Sequence, residues 1–289
     1  MTTMAASADL ARRATVNNYS NESRPVQILL ISVALIFLSL VLLVPLFCVF
    51  TYAFEKGIDV YFRALSDTYT LSAIRLTLFT AAIAVPLNLI FGISAAWLIA
   101  RFHFPGRQVL LTMIDLPLAV SPVIAGMIFV LLYGQRGLLH PIIEALGIQI
   151  IFAPAGIVLA TTFVTLPFVA RELVPVMLEQ GSAEEEAALT MGASGWHTFF
   201  LITLPNIKWA LLYGVILCNA RAMGEFGAVS VVSGHIRGLT NTLPLHIEVL
   251  YNEYNFTAAF AVSSLLALLA IVTLVAKAVV EWKYSKGNS

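Results

Sequence analysis

The chain has 289 residues, of which 60% are hydrophobic and only 11% are charged, and its 16 basic and 16 acidic side chains give a formal net charge of zero. This composition excludes intrinsic disorder, which combines low hydrophobicity with high net charge, and nucleic-acid binding through bulk positive charge. An ordinary soluble domain carries about 25% charged residues. A chain with so few charges and a mean hydropathy of +0.91 is therefore expected in a membrane.

Six stretches are long and apolar enough to cross a membrane, since a spanning helix needs roughly 20 predominantly apolar residues. The predicted spans are 28–54, 76–100, 109–133, 156–177, 209–232 and 256–280. The stretches are continuously apolar rather than alternating, which predicts helices and not a β-barrel. We therefore expect an all-α integral membrane protein with six transmembrane helices over residues 25–283.

The lysine and arginine residues predict which side of the membrane each connection faces. With both termini inside, the inner segments carry ten of these residues and the outer segments five, while Arg221 lies within a span. An excess of positive charge marks the cytoplasmic side of a membrane protein. We therefore expect a multi-pass protein of the cell inner membrane, with residues 1–24 and 284–289 as cytoplasmic tails.

The inner connection between the fourth and fifth spans, residues 178–208, is much longer than the two to eight residues that usually join neighbouring helices. Ser182 and Glu185 have the spacing of a capping box, in which each side chain satisfies a free backbone N–H of the other residue. Three consecutive glutamates fill the first turn, where the helix dipole favours negative charge. Gly192 is a typical residue to end such a helix.

A second short helix is expected to begin at Ser194 and to end before Pro205, because the residue before a proline avoids the helical region. The connection is thus predicted as a helix, a glycine turn and a helix on the cytoplasmic side. An amphipathic hairpin lying on the membrane surface is the alternative interpretation. The three glutamates argue against it, since anionic lipid headgroups repel them.

This connection also carries a specific spaced pattern. Its residues are Glu186, Ala187, Ala188, Gly192, Ile202, Leu204 and Pro205. The pattern resembles the EAA motif of binding-protein-dependent ABC importer permeases, in which the loop forms a coupling helix that docks on the ATP-hydrolysing subunit. The resemblance implies that small Ala187 and Ala188 permit close approach to that partner, and that the acidic face meets basic groups on it.

Further stretches carry the resemblance over about residues 26–283. Residues 115–117, 121–126 and 219–228 resemble sulfate and molybdate permeases, and residues 171–177 and 229–234 are similar to permeases of the sulfate/thiosulfate importer. The family has a MetI-like, type I importer fold. The resemblance implies a paralogous permease partner, an ATPase subunit dimer, an extracytoplasmic sulfate/thiosulfate-binding protein and contact with membrane lipid. ATP would be bound and hydrolysed by the ATPase, so no cofactor is expected in this chain.

Polar residues inside the predicted spans are candidates for the transport pathway. Arg221 and Glu225 stand four residues apart, so they can pair on one helix face. Charges within the membrane are costly and usually functional, and this pair is interpreted equally as a gate or as a structural ion pair. Ser121 and Ser230 can offer hydrogen bonds to an oxyanion, although such residues more often serve helix packing. Asp115 is expected as a hydrated carboxylate near the inner interface.

Several chemical motifs are absent from the sequence. It contains no P-loop, no HExxH, no CxxC and no serine nucleophile elbow, and its five histidines lack metal-ligand spacing. Cys48 and Cys218 lie in apolar stretches and imply no disulfide framework. We therefore expect no catalytic residue, no metal site and no nucleic-acid partner.

Three alternatives to the sulfate/thiosulfate permease remain open from the sequence. A molybdate or tungstate ABC permease handles anions of similar size and charge. An anion carrier or channel would need no ATPase, and its transport would survive loss of the coupling loop. A membrane anchor would transport nothing, so alanine at Arg221 and Glu225 would leave anion uptake unchanged.

Overall fold

The computed structural model describes residues 24–287, and every regular element in this part of the chain is a helix. The helices are α1 (Arg24–Phe54), α2 (Ile58–Leu65), α3 (Thr68–Arg101), α4 (Arg107–Ala119), α5 (Pro122–Tyr133), α6 (His140–Ala145), α7 (Pro154–Gln180), α8 (Ala183–Thr190), α9 (Gly195–Met223), α10 (Gly227–Ser233), α11 (Leu243–Asn252) and α12 (Phe256–Gly287). Short π-helical turns lie within α1 at Ser39–Leu43 and within α9 at Phe199–Thr203.

The predicted tails fall largely outside the described residues, which exclude 1–23 and 288–289. The chain divides at Thr51 and Tyr52 into two compact units. The first unit contains most of α1, which is strongly apolar and has no buried residue over 24–51. All other helices belong to the second unit.

The predicted count of six spans is reached when one bent pair of helices is taken as a single span. Five helices are long and apolar enough to cross a membrane, namely α1, α3, α7, α9 and α12. The sixth span is the pair α4 and α5, whose axes differ by 105°. Helix α3 is longer than the second predicted span. It begins already at Thr68, because the Asp67 side chain accepts the N–H groups of Tyr69 and Thr70.

The prediction of one continuous third span over 109–133 is wrong. Helix α4 ends at Ala119, and Val120 and Ser121 take extended backbone conformations before Pro122 begins α5. Proline disfavours the helical conformation in the residue that precedes it, and at Pro122 the apolar run continues while the helix does not.

The bounds of the fifth predicted span, 209–232, are wrong at both ends. Helix α9 already begins at Gly195 in the connection, and it ends at Met223. Pro205 does not end a short helix as predicted. The π turn directly before it bonds the Leu204 N–H to the Phe199 carbonyl, and so accommodates a proline that has no N–H to donate.

The centre of the second unit is the pair α3 and α7, which run side by side in the same direction. Leu76 and Ile157 share an apolar cluster at one end, and the Asn88 Nδ2 donates to Thr165 Oγ1 at 2.7 Å farther along. A Cβ on Gly92 would lie 2.7 Å from the Val169 side chain, so glycine permits this close approach. Helix α9 packs on both, while α10 packs on α5 and α7.

We call the end of the bundle that carries the connection between α7 and α9 the loop end, and the opposite end the far end. The loop-end core contains a cluster of fully buried apolar side chains from α3, α7 and α9. Its members are Ala96, Val169, Leu173, Met177, Ile207 and Cys218. This packing joins the connection closely to the three helices.

Candidate functional site

The connection folds as a helix, a glycine turn and a helix, as the sequence predicts. Helix α8 ends at Thr190, and Gly192 has a φ of +92°. The Gly192 N–H donates to the Leu189 carbonyl and the Ala193 N–H to the Ala188 carbonyl, each at 3.0 Å, which is the Schellman arrangement. A Cβ on Gly192 would meet nothing within 4 Å, so the backbone conformation alone requires glycine here.

Ser194 begins α9 as predicted, accepting the N–H of His197 at 3.5 Å. The predicted capping box of Ser182 and Glu185 is wrong. The Ser182 hydroxyl donates instead to Glu186 Oε1 at 2.5 Å. Glu185 has turned away, because its carboxylate is held by a basic residue of α3.

That residue is Arg101, the last residue of α3. Its Nε donates to Glu185 Oε2 at 2.7 Å and its Nη2 to Glu185 Oε1 at 3.0 Å, while Nη1 donates to the Met177 carbonyl at 2.8 Å. The Thr203 hydroxyl also donates to Glu185 Oε1 at 2.7 Å. The Arg101 and Glu185 side chains are only 10% and 13% exposed. Arg101 was not among the predicted site residues. The only sign of it in the sequence is a single basic residue at the end of a long apolar run.

Part of the acidic face predicted to meet a partner is therefore bonded to the chain itself. Besides Glu185, Glu184 Oε2 accepts the Asn206 side-chain amide at 2.5 Å. Glu186 remains exposed beside Ser182. Of the two motif alanines, Ala188 is buried within the chain, so close approach by a partner is open only at Ala187.

The connection also presents uncovered apolar side chains, which we call the apolar face of the loop. Its members are Leu189, Met191, Trp196 and Phe200, with exposed fractions of 51%, 82%, 75% and 54%. The Trp196 and Phe200 rings stack with centroids 5.9 Å apart. The motif residues Ile202 and Leu204 are half-buried and Pro205 is exposed, and Leu204 packs on the loop-end core. Large exposed apolar side chains on a polar connection are typical of an interaction surface.

A second group of predicted site residues lies where α9 ends. Arg221 Nη1 lies 2.7 Å from Glu225 Oε2, and the Glu225 side chain is 1% exposed against 35% for Arg221. The other carboxylate oxygen, Oε1, accepts the Ala228 N–H at 2.9 Å at the start of α10. The pair thus forms as the spacing predicts, although Glu225 lies beyond the end of the helix that carries Arg221.

The break between α4 and α5 lies against the break between α9 and α10. A Cβ on Gly126 of α5 would lie 2.7 Å from the Ala228 carbonyl oxygen, and one on Gly227 would lie 3.0 Å from Pro122. Ser121 stands exposed before α5 and caps nothing. The half-buried Ser230 donates its hydroxyl proton to the Gly227 carbonyl at 2.9 Å. The structure therefore brings the Glu225 region close to the start of α5.

Asp115 of α4 is half-exposed and has a basic neighbour. Its Oδ1 lies 3.5 Å from Arg171 Nε of α7. A hollow of 150 Å³ opens beside this pair. A larger groove of 390 Å³ lies between α9, α11 and α12 and is lined mainly by small and apolar residues, including Ala220, Met223, Gly224, Ala267 and Ala270.

At the far end, α11 is held against α3 by polar contacts. The Leu243 N–H donates to Thr77 Oγ1 at 2.8 Å, and His246 Nε2 lies 3.1 Å from Thr70 Oγ1. Burial lowers the pKa of His246; the nearby Asp67 carboxylate opposes this shift and Arg237 reinforces it. The buried imidazole is therefore more readily neutral than a free histidine.

Comparisons with known proteins place this geometry in a family context. Residues 88–285 match the family model described as binding-protein-dependent transport system inner membrane component. The chain is 55% identical over 254 residues to the sulfate transport system permease protein CysW of Escherichia coli (strain K12), covering 88% of this chain and 87% of the relative. It is 33% identical to the sulfate transport system permease protein CysT of the same strain, covering 83% and 87%.

A solved structure shows the same fold at low sequence identity. The crystal structure of a bacterial alginate ABC transporter, in complex with an alginate pentasaccharide-bound periplasmic protein, contains a chain that matches with a TM-score of 0.72. The two chains are 18% identical, and the match covers 88% of this chain and 92% of the other. The predicted all-α permease fold is confirmed.

Proposed function

The chain belongs to the family of binding-protein-dependent transport system inner membrane components, and from that premise we propose that it carries sulfate or thiosulfate into the cytoplasm as part of an ATP-driven importer. It is a permease subunit of an ABC transporter and not itself an enzyme. The resemblance to sulfate importer permeases noted in the sequence is confirmed by its relatives. The choice of anion rests on the sulfate permease to which it is 55% identical over 254 aligned residues.

The connection between α7 and α9 is the observation that carries this proposal. It is bonded to the chain's own helices through Glu185 and packs on them through Ala188, while the apolar face of the loop is left uncovered. A rigid platform with exposed aromatic and aliphatic anchors suits docking to a partner. The partner is an ATPase subunit, which binds and hydrolyses ATP, so that this chain holds no cofactor.

Helix α9 offers a direct route from the docking surface to the membrane interior. It runs without interruption from Gly195 in the connection to Met223, two residues past Arg221. Its 29 residues span about 43 Å at 1.5 Å per residue. Because Glu225 is bonded to the start of α10 beyond the break, a movement of α9 as a rod would change the distance between Arg221 and Glu225. We assign this pair to the gate of the pathway.

The importer would contain a second permease and an extracytoplasmic binding protein. Similarity of the chain to two different sulfate permeases supports a pair of paralogous subunits. Both termini and the connection would face the cytoplasm, in accord with the positive charge of the inner segments. The binding protein would deliver the anion at the far end of the bundle. Ser121 lies at the break before α5 and Ser230 lies in α10, where hydroxyl groups can contact a passing oxyanion.

Radiolabelled sulfate uptake with the Gly192→Pro variant tests the proposal. Proline cannot adopt the φ of +92° at this position, so the turn would break and α8 would be displaced. Gly195→Ala is the matched control, because its new Cβ meets nothing within 4 Å and its φ is not positive. We expect the proline variant to insert normally, but to lose both sulfate uptake and co-purification of the ATPase.

Persistence of uptake and association in the proline variant would refute the importer assignment and favour a carrier that needs no ATPase. Uptake of labelled molybdate in preference to sulfate would instead assign the chain to molybdate or tungstate import.

A further inference from the structure

Arg101 ties three separate segments together at the loop end of the bundle. It is the last residue of α3, yet its guanidinium holds both carboxylate oxygens of Glu185 in α8 and the backbone carbonyl of Met177 in α7. Glu185 in turn accepts the Thr203 hydroxyl of α9. All four segments therefore meet at one ion pair.

This ion pair is stronger than an ordinary surface contact. A bidentate arginine–carboxylate pair is roughly twice as strong as a neutral hydrogen bond and fixes the orientation of both groups. At 10% and 13% exposure, the two side chains are also poorly screened by salt. Among the three glutamates of α8, Glu184 bonds to the exposed amide of Asn206 and Glu186 to Ser182. Glu185 is the one bonded to the charge of another helix.

A second contact joins the same end of α3 to the connection. Trp97 lies one turn before Arg101, on the same face of the helix. Its ring packs on Phe199 of α9, with centroids 5.6 Å apart. Helix α3 therefore contacts both halves of the connection, through a charge at α8 and through an aromatic ring at α9.

The other end of α3 reaches the far end of the bundle. There Thr77 accepts the Leu243 N–H at the start of α11, and Thr70 contacts His246 of the same helix. Helix α3 has 34 residues and runs without interruption between these two sets of contacts. A displacement of its Arg101 end would therefore be transmitted to α11.

We propose that Arg101 is a positioning residue that carries movement of the connection into α3, and through α3 to α11 at the far end. This inference rests on the proposed function, since it assumes that an ATPase moves the connection. It assigns a route that is separate from α9 and that does not pass through Arg221. Loss of the ion pair would leave the ATPase docked while its hydrolysis no longer drives transport.

The test uses the complete importer in proteoliposomes, with ATP hydrolysis and labelled sulfate uptake measured on the same sample. Glu185→Gln removes the charge but keeps an oxygen that can accept the Thr203 hydroxyl. Glu184→Gln is the matched control, because it removes the same charge one position earlier and touches only an exposed amide. We expect the ATPase subunit to stay bound to the Glu185→Gln variant and to keep hydrolysing ATP. The amount of sulfate transported per ATP hydrolysed should fall about tenfold. The control should keep the wild-type ratio.

An unchanged ratio in Glu185→Gln would overturn the proposal. Loss of the ATPase from this variant would overturn it too, because the pair would then serve docking. If Glu185→Gln fails to accumulate, the exchange variant R101E/E185R takes its place as the test. The proposal then requires this double variant to accumulate and to transport more sulfate per ATP than R101E alone. A wild-type complex without ATP-dependent sulfate uptake would instead refute the proposed function.

Discussion

Glu225 lies beyond the end of α9, yet its carboxylate meets the Arg221 guanidinium of that helix at 2.7 Å. The same carboxylate accepts the Ala228 N–H and so caps the next helix. One buried side chain thus satisfies a charge before the break and a backbone donor after it. The break between α9 and α10 is therefore stabilised by specific contacts, because Glu225 is bonded to both helices.

Substitutions at Glu225 should separate these two roles. Glu225→Ala removes both contacts, and because Arg221 is about one-third exposed we expect a loss of about 1–3 kcal/mol in the free energy of unfolding. Glu225→Gln keeps an oxygen for the Ala228 N–H and should lose less. Thermal unfolding of the purified permease in detergent measures both. Equal stability of the two variants would show that the bond to Ala228 contributes nothing.

The contact between α5 and α10 depends on a glycine. A Cβ at Gly126 would lie 2.7 Å from the Ala228 carbonyl oxygen and 2.9 Å from the Val231 Cβ, so Gly126→Ala should cost about 1–3 kcal/mol through overpacking. Gly224→Ala is the control, because its Cβ would meet only the Ala220 carbonyl oxygen, at 3.6 Å. Thermal unfolding should place the control near wild type. A Gly126→Ala protein as stable as the control would contradict the close packing.

The positions of the spans could be predicted because apolar length is a property of the sequence alone. The breaks at Val120–Ser121 and after Met223 were missed, since an apolar run does not report the backbone conformation within it. Pro122 is the signal that would have located the first break. For the second, the spacing of Arg221 and Glu225 suggested a continuous helix, whereas the carboxylate reaches back across the interruption.

The turn of the connection could be predicted, but not the partner of its glutamates. Gly192 and Ser194 act through local backbone geometry, which short-range patterns describe well. The ion pair of Arg101 and Glu185 joins residues 84 positions apart. Consecutive helical residues point about 100° apart, so which of three adjacent glutamates faces α3 depends on how α8 is rotated against the bundle. That rotation is set by tertiary packing.

Cysteine labelling should establish which side of the membrane each end of the bundle faces. Leu138, in the connection between α5 and α6, is 85% exposed and Met191 is 82% exposed, so cysteines at these positions are accessible to reagents. We expect a membrane-impermeant maleimide to label Leu138→Cys when applied outside the cytoplasmic membrane. Met191→Cys should be labelled only after that membrane is permeabilised. The native Cys48 and Cys218 are replaced by serine in both variants, and the reverse labelling pattern would invert the proposed topology.

The apolar face of the loop should tolerate no charge. Met191→Asp places a carboxylate at its most exposed position, and we expect binding to the ATPase subunit to weaken by roughly 2 kcal/mol, or about 30-fold. The control is Leu138→Asp, an equally exposed apolar residue outside the connection. Co-purification and titration of the ATPase onto the permease in detergent give both affinities. Equal affinities for the two variants would place the docking surface elsewhere.

The permease should lose stability as the pH falls, partly through His246. Burial lowers the pKa of this histidine in the fold, while in the unfolded chain the pKa is about 6.5, so the unfolded state binds the proton more readily. The stabilising effect of the neutral imidazole is complete above about pH 6.5 and decreases as the pH falls toward the lowered pKa, by at most about 1.4 kcal/mol per pH unit. Thermal unfolding between pH 7.5 and 5.5 measures this dependence against His246→Asn, in which the other titrating groups remain. The wild type should lose more stability than the variant, and parallel curves would exclude His246 as a source of the pH dependence.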